Sequence, residues 1–281
     1  MNYTCFTVEI DNSVAHIQLS RPHALNTMIP EFWTELPQLV HGLSDTGNIR
    51  AAIISSTGPH FSAGLDLSTF TSQERKHTSD DAGRSNLARR ERVLSMQRAF
   101  TSLEHARMPI LAAIHGGCIG GGLALATACD MRFATTDAFF VVQETNIGLA
   151  ADTGTLQRLP RLVPDGIARE LAYTGGRLEA SRAQEIGLVN QVYADHNTML
   201  TAVTRIAHTI ASKNPLAIWG SKTALNYARS HGPDEGLKQI ADWSAAALAG
   251  RDIAASLNAR REKQVPSYPD LPCITPATPH G

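Results

Sequence analysis

Cysteine is scarce in this chain of 281 residues, and the four present, Cys5, Cys118, Cys129 and Cys273, form no C-x-x-C pair and no tight group with histidine. They read as reduced, structural thiols, and no metal site is expected. An excess of either charge is also missing: 25 Lys and Arg stand against 26 Asp and Glu, for a formal net charge of −1. Basic residues alternate with acids throughout, so counterion-release binding has no footprint and no nucleic-acid partner is expected. No apolar run approaches the roughly 20 residues that cross a bilayer, which argues against a membrane partner. The opening MNYTCFTVEI has an acid and alternation in place of a signal, and the closing Pro279-His280-Gly281 is no peroxisomal tripeptide, so a cytoplasmic location is expected. Walker A and G-x-S-x-G patterns are absent too.

What remains is an ordinary globular composition, 43% hydrophobic, long enough to bury a large core in one main α/β unit followed by a helical tail. The pattern divides into a core over 1–195, a helical tail over 196–265 and a proline-rich loose end over 266–281. Residues 6–19 alternate as a hairpin turned at Asp11-Asn12-Ser13. A helix is expected over 31–43, a buried strand over 51–55, a polar mobile loop over 69–86, and a helix over 87–104 whose Arg89, Arg90 and Arg92 form a solvated face. Later come a helix over 180–186 capped by Ser181 and stopped by Gly187, a strand over 188–192, and helices over 197–211, 215–229 and 233–249.

The most informative stretch is 108–160. The apolar run 110–114 reads as a buried strand feeding Gly116, Gly117, Gly120, Gly121 and Gly122, after which a helix begins. Backbone N–H groups at such a helix start are free, and glycine lets a ligand oxygen approach them. The oxygen is that of a phosphate or of a thioester becoming an enolate. A dinucleotide fingerprint fails on spacing, because Leu125 occupies the place of its third glycine. Glu144 and Asp152 follow among apolar neighbours, where a carboxyl is raised toward neutral pH and can exchange protons. The plainer roles are a loop tie for Glu144 and a helix cap for Asp152. His115, beside the glycines, reads as a packed or backbone-bonded histidine, and His60 as a loop residue.

Three motifs in order, Arg21-Pro22-His23-Ala24-Leu25-Asn26, Phe61-Ser62-Ala63-Gly64-Leu65-Asp66-Leu67 and the stretch 108–160, resemble those of the crotonase (enoyl-CoA hydratase/isomerase) superfamily. GGCIGGG and GLAADTGTLQRLP are most similar to its delta-3,5-delta-2,4-dienoyl-CoA isomerases. The resemblance implies a crotonase-like ββα superhelical core with a helical trimerisation tail, hence a homotrimer or homohexamer. It implies an acyl-CoA substrate held along His23, Ala24, Ala63, Gly64, Asp66, Leu67 and Gly120, with no cofactor beyond the CoA of the substrate itself. The N–H groups of Leu65 and Gly121 become the oxyanion hole. Hydratases of the family use two glutamates twenty residues apart; Ala124 stands in the first position and Glu144 in the second, which argues against hydration. The dienoyl-CoA isomerases have Asp, Glu and a further Asp eight residues on, and Asp152 matches the last. The resulting assignment makes Asp152 the group that removes a C6 proton and Glu144 the one that protonates C2. Two alternatives stay open: a delta-3-delta-2-enoyl-CoA isomerase using Glu144 alone, and a non-catalytic acyl-CoA binder.

Overall fold

The computed structural model describes residues 3–68, 81–247 and 250–274. Its strands are β1 (Phe6–Asp11), β2 (Val14–Leu19), β3 (Ala51–Ser56), β4 (Ile110–Ile114), β5 (Gly117–Ile119), β6 (Met131–Thr135), β7 (Phe139–Val141), β8 (Leu178–Glu179) and β9 (Gln191–Tyr193). Its described helices are α1 (Pro30–Thr46), α2 (Ala82–His105), α3 (Gly121–Ala128), α4 (Thr155–Arg158), α5 (Asp165–Thr174), α6 (Ala180–Glu185), α7 (His196–Ala211), α8 (Pro215–Tyr227), α9 (Pro233–Ala247) and α10 (Arg251–Glu262).

β1 and β2 form the expected hairpin, turned by Asn12 and Ser13 at φ 44° and 66°. From β2 onward every pair in the main sheet is parallel, in the order β1-β2-β3-β4-β6-β9. Parallel strands covered on both faces read as continuous apolar runs, which is why β3 and β4 are buried at every position. One face, through Ile17, Ile54 and Ala112, meets α1 and α2 in a core centred on Phe32, Leu36, Phe100 and Leu103. The other, through Val14, Ile53, Leu111 and Phe133, is covered by Met199, Val203, Ala207 and Ala211 of α7. The boundary expected at 195 thus falls between a sheet and the helix packed on it. β5, β7 and β8 make a second, three-stranded sheet beside the glycines.

Several expectations shift. α2 begins at Ala82, capped by the Asp81 side chain, because a polar first turn needs only its cap and gives no apolar period. The loop expected over 69–86 therefore ends earlier, and residues 69–80 lie outside the described residues. The strand expected over 188–192 is β9, three residues later: Leu188 and Val189 are buried by packing, with both N–H groups bonded to the Ala183 carbonyl and none to a ladder. Ser181 caps nothing, since α6 starts from Glu179 without a side-chain cap. The loose end expected from 266 is tied down as far as 274. Arg50 binds the Tyr268 carbonyl at 2.6 Å and Asp270 at 2.7 Å, Arg107 binds the Pro272 carbonyl at 2.8 Å, and Leu271 is buried. Among the described residues no helix is long and apolar enough to cross a membrane.

Candidate active site

The glycine segment is a shelf made by backbone. Asn26, left-handed at φ 53°, accepts from the Arg21 N–H and donates to the carbonyls of Thr57 (2.7 Å) and His60 (3.0 Å), locking the first motif to the loop before the second. The Met28 N–H donates to the Gly64 carbonyl and the Asp66 N–H to the Met28 carbonyl, so Leu65 is held from both sides. Among the described residues, the N–H groups of Leu65 and of Gly121, first residue of α3, have no acceptor. They are neighbours: a Cβ built on Gly121 would stand 3.6 Å from the Leu65 nitrogen. A Cβ on Gly64, at φ +84°, would meet the Ile119 carbonyl at 2.7 Å and the Gly121 nitrogen at 3.0 Å. Glycine is required there by conformation and by space alike.

Glu144 opens a 3-10 turn, Glu144–Ile147, that follows β7 and ends at left-handed Gly148. Its Oε1 would lie 3.7 Å from a Cβ on Gly120, which places the carboxylate at the edge of the shelf. Its Oε2 is buried and, among the described residues, has no hydrogen-bond partner. Burial raises its pKa, the nearby Asp152 charge raises it further, and its own N–H lowers it. Asp152 lies further out, exposed at the rim with its carboxyl half-withdrawn; partial burial raises its pKa and its own N–H lowers it. It is not a helix cap, because α4 starts from Gly154 without a side-chain cap. Around these acids Ile147, Leu149 and Leu156 are exposed apolar side chains, so the apolar neighbours expected from sequence form an open, greasy rim.

The other expected residues are distributed unevenly. Gly64 and Gly120 line the shelf, Ala63 donates its N–H to the Leu25 carbonyl, and His23 and Ala24 sit on the 3-10 turn Pro22–Ala24. Leu67 is exposed. Asp66 binds the Thr27 and Ser68 hydroxyls, and those bonds, Ser68 first, hold its carboxyl below the usual range, so it ties the motif together. Ala124 is fully buried in α3. His115 is backbone-bonded, its Nε2 2.7 Å from the Gly58 carbonyl, and His60 Nδ1 accepts the Gly117 N–H. Among the described residues no group of His, Cys, Asp and Glu is placed to hold a metal. Sequence reasoning missed Gln97, Thr101, Glu104 and Arg158, which grip the acid-bearing loop; only the nearness of Arg158 to Asp152 in sequence hinted at one of them.

A backbone shelf with two free N–H groups beside a partly buried carboxylate can stabilise an oxyanion while moving a proton. The enoyl-CoA hydratase/isomerase family matches residues 9–270, and the chain belongs to that family. It is 41% identical over 252 residues to the mouse mitochondrial delta(3,5)-delta(2,4)-dienoyl-CoA isomerase, covering 89% of this chain and 77% of that one. It is 39% identical to the Arabidopsis thaliana peroxisomal delta(3,5)-delta(2,4)-dienoyl-CoA isomerase, covering 93% and 94%. An enoyl-CoA hydratase structure from Bacillus anthracis shares the fold at a TM-score of 0.84 and 30% identity, over 94% of this chain and 99% of that one.

Proposed function

We propose that the protein isomerises a 3,5-dienoyl-CoA to the 2,4-dienoyl-CoA. The observation that carries the reading is the buried, unpartnered Glu144 oxygen at the edge of the Leu65–Gly121 shelf, with the second carboxyl of Asp152 near enough to perturb it. The names of the mouse and Arabidopsis relatives support it.

The thioester oxygen sits between the N–H groups of Leu65 and Gly121, which stabilise negative charge as it develops. Atom balance fixes the proton traffic. The 3,5-diene has a CH2 at C2 and an sp2 CH at C6, whereas the 2,4-diene has an sp2 CH at C2 and a CH2 at C6, so C2 loses a proton and C6 gains one. Glu144, beside the shelf, takes the C2 proton; the C2–H electron pair enters a dienolate spread onto the thioester oxygen. Collapse forms C2=C3 and C4=C5, and the C5=C6 pair takes a proton from Asp152 at the outer rim. This reverses the direction assigned from sequence. Raised pKa values suit both acids, since Glu144 becomes a stronger base and Asp152 a group able to carry a proton. Solvent exchange then resets the pair. No cofactor is invoked, and Gly120, Ala63, Ala24 and His23 flank the bound thioester.

Formation of the conjugated 2,4-dienoyl chromophore from a 3,5-dienoyl-CoA tests the reading. Glu144→Gln and Asp152→Asn should each reduce turnover by about 10²-fold or more. Ala124, lacking the acid of the dienoyl isomerases, favours a second reading in which Glu144 alone shifts a 3-enoyl-CoA. Near-full 3-enoyl turnover by Asp152→Asn, without dienoyl turnover by the parent, would establish that one. CoA-thioester binding with no turnover would leave a binding protein. The reading also includes a cytoplasmic location, although the two relatives are named as mitochondrial and peroxisomal. It includes a homotrimer or homohexamer, supported by exposed Leu225, Leu237 and Leu257 on the tail and checked by light scattering.

A further inference from the structure

One face of α2 carries Gln97, Thr101 and Glu104 at helical spacing, and each grips the loop that bears Asp152. Gln97 Nε2 donates to the Asp152 carbonyl at 2.7 Å. Arg158, just past the acid, turns back beneath the loop: it donates to the Thr153 carbonyl at 3.3 Å, to Thr101 Oγ1 at 3.2 Å and to Glu104 Oε2 at 2.7 Å. That path exists only because residue 154 is glycine, since a Cβ there would fall 2.0 Å from Arg158 Nη1. The ion pair is largely withdrawn from water, with side chains 11% and 18% exposed. Glu104 is shared with the tail: Arg229 binds its Oε1 at 2.9 Å and Asn226 its carbonyl at 2.9 Å. By contrast, the Asp152 side chain stands exposed at the rim, so its placement depends on where this clamp holds its backbone.

We propose that Gln97 and the Glu104–Arg158 ion pair are positioning residues that set Asp152 at the distal end of the substrate, and that α8 shares their anchor through Glu104. The inference rests on the proposed two-acid isomerisation. Glu144 stands on a turn tied elsewhere, by the Thr145 hydroxyl to the Ala172 carbonyl and by the Asn146 amide to the Gly175 carbonyl, so loosening the clamp leaves proton removal at C2 intact and impairs delivery at C6.

The two steps are separable. In deuterium oxide, Glu144 alone exchanges the C2 hydrogens of a 3,5-dienoyl-CoA, whereas appearance of the 2,4-dienoyl chromophore needs Asp152 as well. Gln97→Leu and Glu104→Gln should lower kcat for isomerisation about tenfold with KM within about twofold, because sub-ångström misplacement of a reacting group costs this much or more. C2 exchange should stay within about twofold of the parent. Equal loss of exchange and isomerisation, or no loss in either, overturns the positioning role. Gln97 is only half-buried, so Gln97→Leu keeps the test decisive should Glu104→Gln fail to fold. A parent enzyme with no dienoyl turnover would instead overturn the two-acid reading, and that is seen before any variant is made.

Discussion

The two halves of the site are held by different means. The shelf is fixed by main chain: Gly64, Leu65 and Gly121 are locked through Met28, Asn26 and α3, within the core. The acid-bearing loop from Glu144 to Arg158 is fixed largely by side chains, Thr145 and Asn146 binding the Ala172 and Gly175 carbonyls at one end and Gln97, Thr101 and Glu104 reaching from α2 at the other, and is mostly exposed. Main-chain construction makes the proposed oxyanion donors rigid, as stabilisation of a developing charge requires. Side-chain construction lets the acids change without rebuilding the fold. The common chemistry is thus built into the fold and the particular chemistry is mounted on it.

A methyl group placed on each half exposes the contrast. Gly64→Ala should be the most damaging change, because its Cβ strikes the Ile119 carbonyl at 2.7 Å and crowds the Gly121 nitrogen at 3.0 Å. Loss of one oriented donor costs about 10²–10³ in kcat, read in the dienoyl assay alongside thermal unfolding. Gly148→Ala tests the other half at nearly the same conformation, φ +78°, but with nothing within 4 Å of the added atom. Strain alone should then act, lowering stability by about 1 kcal/mol and kcat by less than about fivefold, which that energy would allow at most if it were felt entirely at the acids. Equal losses at the two glycines would remove the distinction between shelf and loop.

The same division decides what could be read from sequence. β4 falls on the expected residues 110–114, and the hairpin turn falls on Asn12 and Ser13, because local apolar runs and turn residues specify them. The free Gly121 N–H follows from three glycines at a helix start, which is also local, whereas the Leu65 N–H was legible only through the resemblance of its motif. The clamp on Asp152 joins residues 55 apart in sequence, and the Glu104 contact with Arg229 joins residues 125 apart. No periodicity announces such pairs. α10 has only Ala259 buried and carries almost no core-facing period, so its existence was legible only as general helical character of the tail. The run at Leu188 and Val189 shows the opposite failure, an apolar signal that was satisfied by packing without becoming a strand.

The subtlest difference between the halves concerns stability against pH. Burial lifts the Glu144 pKa above its ordinary value, and the Asp152 charge adds to the lift. A carboxyl whose folded pKa exceeds its unfolded one binds more protons when folded, so stability falls as pH rises through the interval between the two values. At neutral pH the ionised Glu144 therefore destabilises the fold, and below the unfolded value that cost is gone. Glu144→Gln should raise the unfolding temperature at pH 7 even as it cuts turnover, and the gain should fade as pH drops through the unfolded glutamate value of about 4.3, below which the parent residue is protonated in both states. Turnover in the parent should decline on acidification through the raised value, at a higher pH than an exposed glutamate would give. The shelf contains no ionisable group, so Gly64→Ala should keep the parent's acid limb while losing height throughout. A Glu144→Gln protein no more stable than the parent at pH 7 would mean that the unpartnered oxygen is compensated, and that the acid is held at no cost to the fold.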